Sequence, residues 1–132
     1  MDVGLEKELY SKYPKIFSDI SLPGHESRMA WGIECGNGWY WLIDLLCSNI
    51  MAFHLGNDLP IPAFTQVKEK FGSLRVYSDD ASEYCDGLID MACAISTKIC
   101  ETCGNSGKFR VENNWCRTEC EDCREKRLSD KQ

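Results

Sequence analysis

Several features are missing from this 132-residue sequence, and each absence removes a class of function. No stretch approaches the roughly 18 uninterrupted apolar residues of a membrane-spanning helix. The longest oily run, Trp39 to Leu46, is broken by Asp44. The chain opens MDVGLEKELY, with acids where a secretory leader needs a basic start and an apolar core, so the expected home is the cytoplasm. Histidine is scarce, with only His25 in a Pro-Gly loop and His54 after an apolar segment. There is no Gly-x-Ser-x-Gly elbow, no P-loop and no Gly-rich dinucleotide fingerprint, and the turn CGNG is too short for either glycine motif. The acids show no EF-hand spacing, and the chain has no internal repeat or low-complexity tract. These gaps point away from an enzyme.

Basic residues are also outnumbered. Fifteen Lys and Arg face twenty-one Asp and Glu, a formal charge of −6. From residue 98 onward there are eight bases and seven acids, which leaves seven bases and fourteen acids in the first 97 residues. A nucleic-acid surface needs clustered Lys and Arg to release counterions. The larger part of the chain therefore favours a basic partner, or simple solubility, over direct contact with a polyanion.

What the sequence has in excess is cysteine. Nine in 132 residues is an odd number, and with no export signal a disulfide framework is not the expected use. Two close pairs stand out, Cys100-x2-Cys103 and Cys120-x2-Cys123, with sixteen residues between them. Each such pair places two sulfurs on one tight turn, and Gly104 suits the backbone reversal. The expected cofactor is a structural Zn2+ held by Cys100, Cys103, Cys120 and Cys123, with no open position for water. Cys116 offers a competing pair, Cys116-x3-Cys120; the repeated Cys-x-x-Cys form favours Cys123. Cys35, Cys47, Cys85 and Cys93 are scattered and read as small core residues.

The patterning predicts an α+β fold. Residues 2–13 form a short helix stopped by Pro14, and 14–28 form an irregular connection. Met29–Cys35 reads as a short strand, with Asn37 as a helix cap. Trp39–Phe53 reads as a helix with Trp39, Leu42, Ile43, Leu46, Ile50 and Phe53 on one face and Trp41, Leu45 and Ala52 on a second oily flank. It is the expected buried central element, with Trp41 expected inside; the alternative is an exposed Trp41 that anchors a partner. Phe64–Val67 and Leu74–Tyr77 make a hairpin about Phe71-Gly72. Ala81–Cys100 reads as a long amphipathic helix, with Cys85, Leu88, Ala92, Ile95 and Ile99 packed and Asp79, Glu83, Asp86 and Asp90 on the wet side. The expected architecture is a buried central helix and this long amphipathic helix with a small antiparallel sheet and a C-terminal zinc knuckle. An acidic core over 1–97 would carry a knuckle module over 98–132 packed on it as one unit.

The blocks CGNGWYWLIDLLCSNI, QVKEKFGSLRVY, ISTKICETCGNSGK and WCRTECEDC together resemble a family of small phage and prophage proteins. In that family a CGDGW block leads into a helix, followed by VKEKFGxLRFY, a CExCG knuckle and a terminal cysteine pair or Cys-x-x-His. The likeness covers about residues 29 to 123. It implies Cys100, Cys103, Cys120 and Cys123 as ligands, and it weakens Cys116, which falls where the family has an apolar residue. Asn37 departs from the family's usual Asp. Members are mostly uncharacterised, so the likeness implies a phage accessory protein at work in the host cell cytoplasm more firmly than it implies an activity.

Three functions follow as expectations. The first is a non-enzymatic inhibitor of a host defence factor, of anti-CRISPR type. Its acidic row Asp79, Glu83, Asp86 and Asp90 would meet a basic nucleic-acid-binding host protein such as a Cas9-type nuclease. The alternative is a zinc-finger-like regulator that touches nucleic acid through Lys108, Arg110, Arg117, Arg124, Lys126 and Arg127. An enzyme ranks last.

Overall fold

The computed structural model describes residues 1–131. Helix α1 (Val3–Lys12) ends before Pro14, where the missing N–H stops the ladder. Its Leu9 is fully buried against Ile16 and Phe17, and the Phe17 ring meets Phe64 edge-on at 5.5 Å.

The strand expected over Met29–Cys35 shrinks to β1 (Ile33–Glu34). The reason is local. The Ser27 hydroxyl accepts the Met29 N–H at 3.2 Å and starts a 3-10 turn over Arg28–Trp31, and Gly32 follows at φ 77°. Asn37 does not cap a helix. It opens a further 3-10 turn, Asn37–Trp39, and its amide clasps Asp2 through two 2.8 Å hydrogen bonds, one with the backbone N–H and one with the carboxylate.

Helix α2 (Tyr40–Gly56) buries Leu42, Ile43, Leu46, Cys47, Ile50 and His54. Contrary to the sequence reading, its second oily flank lies open, with Trp41 46% and Leu45 51% exposed and Ala52 exposed as well. The helix leads to β2 (Ala63–Lys70), which lies parallel to β1, so β1–α2–β2 is a crossover unit. Strand β3 (Ser73–Asp79) returns antiparallel through the Phe71-Gly72 turn, both residues at positive φ, as a tight hairpin turn demands. The three-stranded sheet is therefore mixed, in the order β1-β2-β3.

Helix α3 (Glu83–Ser96) is capped by Ser82, whose hydroxyl accepts the Cys85 N–H at 3.0 Å. Its buried line is Cys85, Ile89, Ala92 and Ser96, one step round from the predicted line; Leu88 and Ile95 lean toward α2. The helix stops four residues short of Cys100. Asp79 belongs to β3 and not to the helix. A two-stranded hairpin, β4 (Lys108–Glu112) and β5 (Trp115–Glu119), and helix α4 (Glu121–Ser129) complete the chain. The fold is α+β, with a cysteine cluster near the C-terminus.

Candidate metal centre

Two chain reversals deliver four sulfurs to one place. After α3, Ile99 bridges Ser106, and the Cys100 N–H donates to the Asn105 carbonyl at 2.7 Å. The Gly104 N–H then donates to the Cys100 carbonyl at 2.9 Å, with Gly104 at φ 84°, a left-handed value that suits glycine. This loop points Cys100 and Cys103 the same way. The second pair uses a helix start instead. Cys120 is the N-cap of α4, its Sγ accepts the Cys123 N–H at 3.4 Å, and Cys-x-x-Cys spans the first turn. The four sulfurs of Cys100, Cys103, Cys120 and Cys123 lie within 4.8 Å of one another, Cys103 Sγ and Cys120 Sγ at 3.6 Å, and this cluster could hold a metal ion. Cys116 is outside it, paired with Val111 across the hairpin.

The sulfurs do not share negative charge easily. Burial pushes the Cys100 thiol up, but hydrogen bonds to backbone at Cys120, Cys103 and Thr102 outweigh it and bring the group down to about 7. Burial and the thiols of Cys120, Cys103 and Cys100 drive Cys123 far above the ordinary thiol range. At Cys103 the Asn105 backbone lowers the value, yet burial and the neighbouring thiols raise it on balance. Cys100 forms a thiolate readily while Cys103 and Cys123 resist, the expected behaviour of like charges crowded together, which a divalent cation relieves. Three cysteines of the core differ: burial raises Cys35 to about 12 and Cys85 to about 11, and raises Cys47 strongly, so these thiols stay protonated.

The cluster is fastened to the core. Gly38 N–H donates to the Glu101 carbonyl at 2.7 Å, and Gly36 N–H to the Glu101 carboxylate at 2.9 Å. The fully buried Trp39 donates its indole N–H to the Ile99 carbonyl at 2.9 Å. A side chain at Gly38 would collide with the Cys100 carbonyl, so the CGNG turn is glycine-rich because the knuckle backbone passes against it. From the other side, the Thr118 hydroxyl donates to the Gly72 carbonyl at 2.7 Å.

Charges around the cluster are largely spoken for. Arg127 grips Glu119 through Nε at 3.1 Å and a terminal nitrogen at 2.6 Å. Arg124 pairs with Glu112 at 2.7 Å and Glu121 at 3.3 Å, and Arg110 with Glu121 at 2.6 Å. Three of the six bases expected to offer a nucleic-acid surface are thus committed to carboxylates. Apart from Glu121–Arg124, an i,i+3 pair within α4, the partners of this ladder are brought together only when α4 folds back on the hairpin.

Of the acidic row, Glu83, Asp86 and Asp90 are exposed on α3, and Asp79 is exposed at the end of β3. None of the four has a base within ion-pair distance among the described residues. Beside them the α2–α3 seam opens into an apolar groove of about 160 Å³, lined by Leu45, Leu88, Met91 and Ile95.

Sequence reasoning missed two polar clusters. Asp44 accepts from the Tyr13 hydroxyl at 2.6 Å and from Lys12 at 2.9 Å, tying α1 to α2. His54, only 1% exposed, donates Nδ1–H to the Pro60 carbonyl at 2.7 Å and accepts the Ser82 hydroxyl at Nε2, at 2.9 Å. A carbonyl, which cannot donate, fixes that tautomer. This Ser–His pair latches the end of α2 to the start of α3 and is closed off by packing.

No helix of the described residues is long and apolar enough to cross a membrane. No family model, curated protein or solved structure matches the chain.

Proposed function

We propose that this chain is a zinc-braced, non-enzymatic binding protein that acts by covering a surface on a partner. In this reading Cys100, Cys103, Cys120 and Cys123 hold one Zn2+. Zinc–sulfur bonds of about 2.3 Å in a tetrahedron set the sulfurs about 3.8 Å apart, close to the spread of this cluster. Four thiolates saturate the ion, so it supplies folding energy and no reactive water.

What carries the binding reading is the row Glu83, Asp86 and Asp90, exposed, unmatched by bases, and set on the helix whose neighbouring edge opens into the apolar groove. Unpaired acids steer a basic partner, and buried apolar contact then holds it. Met91 is 60% exposed at that edge and is the natural anchor. The partner class that fits is a basic, nucleic-acid-binding host protein such as a Cas9-type nuclease. With the phage-family likeness, the role is that of an accessory protein inhibiting a host defence factor in the host cytoplasm.

The test is capture of purified defence nucleases by the zinc-loaded chain at low and high salt. Binding that weakens in salt, and weakens further in Asp86→Lys, Asp90→Lys and Met91→Ala, supports the reading. Binding indifferent to all three substitutions removes this surface, and no binding to any basic partner removes the function.

A further inference from the structure

The outward face of the β1–β2–β3 sheet carries a second surface, opposite in charge to α3. The hairpin register pairs Val67 with Val76 and Glu69 with Leu74, and the buried Val67, Leu74 and Val76 fix that side as the core side. The alternate pairs, Gln66 with Tyr77, Lys68 with Arg75 and Lys70 with Ser73, therefore face outward. The Arg75 Nε–H donates to the Ser73 hydroxyl at 3.2 Å, as two residues on one face should. At one end this face runs into a cleft of about 350 Å³ where Arg28 lies beside Gln66 and Tyr77.

Arg28, Lys68, Lys70 and Arg75 have no carboxylate within ion-pair distance among the described residues, unlike Arg110, Arg124 and Arg127 beside the cysteine cluster. The acids nearby are Glu34, opposite Lys68 on β1, Glu26 in the cleft, Asp79, two residues beyond Tyr77 on the same face, and Glu69, whose carboxylate accepts the Gly72 N–H beside Phe71. Exposed rings stand at both ends. Tyr77 is 47% exposed beside the cleft, and Phe71 is 67% exposed at the turn, with Lys70 over its ring at 5.6 Å.

We infer that this face binds single-stranded nucleic acid: the bases hold phosphates, and Tyr77 and Phe71 stack unpaired bases. Charge chooses a polyanion, and the rings choose one with exposed planar faces over an acidic protein. The excess of acids in the first 97 residues conceals the face, because folding gathers Arg28, Lys68, Lys70 and Arg75 on one side of the sheet and leaves Glu83, Asp86 and Asp90 on α3. An eight-residue strand is about 26 Å long, which suits a site at the short end of the roughly 4–16 nucleotides that single-strand-binding folds cover. The inference stands apart from the protein-binding reading, which uses α3.

The experiment is fluorescence anisotropy of a labelled oligothymidylate 20-mer titrated with the zinc-loaded full chain. Three or four phosphate contacts give a log–log salt slope of about −2 to −3. Lys68→Ala/Lys70→Ala/Arg75→Ala should weaken binding at least about tenfold and flatten the slope by about 2. Phe71→Ala and Tyr77→Ala should each weaken binding about fivefold or more. Lys70→Glu, at the exposed strand end, provides a second variant should the triple one melt early, and Asp86→Lys should leave the affinity undiminished. The inference is overturned by no binding up to about 100 μM at 50 mM salt. It is equally overturned by a duplex binding as tightly as the single strand, by charge variants that change nothing, or by polyglutamate competing equally while the ring variants stay silent.

Discussion

The indole of Trp39 offers the most demanding test of how the cysteine cluster is held. It is fully buried, and its N–H donates to the carbonyl of Ile99, the residue that precedes Cys100. Trp39→Phe removes the donor and part of the ring. The orphaned carbonyl costs about 1–3 kcal/mol, and the vacated volume adds about 1 kcal/mol or more. With unfolding entropy of about 2.1 cal/mol/K per residue, a loss of about 3 kcal/mol lowers Tm by about 10 °C in a chain of this length. Because the lost bond sits against the knuckle, metal should also leave faster. Both are read together by thermal melting followed by circular dichroism, and by zinc release to a chromogenic chelator. Trp31→Phe, at a residue 66% exposed, is the control and should move Tm by about 2 °C at most. If Trp39→Phe behaves like Trp31→Phe, the cluster is not anchored through the core in the way described.

Further outcomes follow from the same contacts. Gly38→Ala should cost about 1–3 kcal/mol and loosen zinc, since the added methyl meets the Cys100 carbonyl; equal zinc retention and an unchanged melt would contradict this. Glu101→Gln should stabilise the protein at neutral pH. Burial holds the Glu101 carboxyl above its ordinary 4.5, so its ionised form weakens the folded state, while an amide oxygen still accepts the Gly36 N–H. The gain should be full above the raised pKa and fade as pH falls toward 4.5, and melting curves of both proteins across that range check the sign. Arg127→Ala should lower Tm by several degrees, because Glu119, only 5% exposed, is left without the partner that grips both its oxygens. A melt matching the wild type would show that Glu119 finds another donor.

Much of the architecture was legible where a local pattern sufficed. Pro14 ends α1, the Phe71-Gly72 turn closes the hairpin, and the two Cys-x-x-Cys spacings predict the cluster in which Cys116 has no part. The failures have two causes, a local side-chain cap in one case and long-range partners in the others. Met29–Cys35 reads as a strand until Ser27 caps a turn within it. Asn37 reads as a cap until Asp2 takes its amide. Trp41 reads as buried because α2 is oily on nearly every side, but only one flank meets the sheet and α3. The charge count is silent on arrangement: a sum over 97 residues says nothing about which bases share a strand face, and β-alternation sets Lys68, Lys70 and Arg75 on one side. Most of the ion ladder of α4 escaped because Glu112 and Glu119 meet Arg124 and Arg127, and Glu121 meets Arg110, only when α4 folds against the hairpin.

The most direct measurement is metal content by elemental analysis of freshly purified protein, set beside its cysteine variants. The account predicts one zinc per chain in the wild type and in Cys116→Ser, and a marked loss in Cys103→Ser and Cys123→Ser. A wild type without stoichiometric metal, or zinc lost in Cys116→Ser and kept in Cys123→Ser, would contradict it.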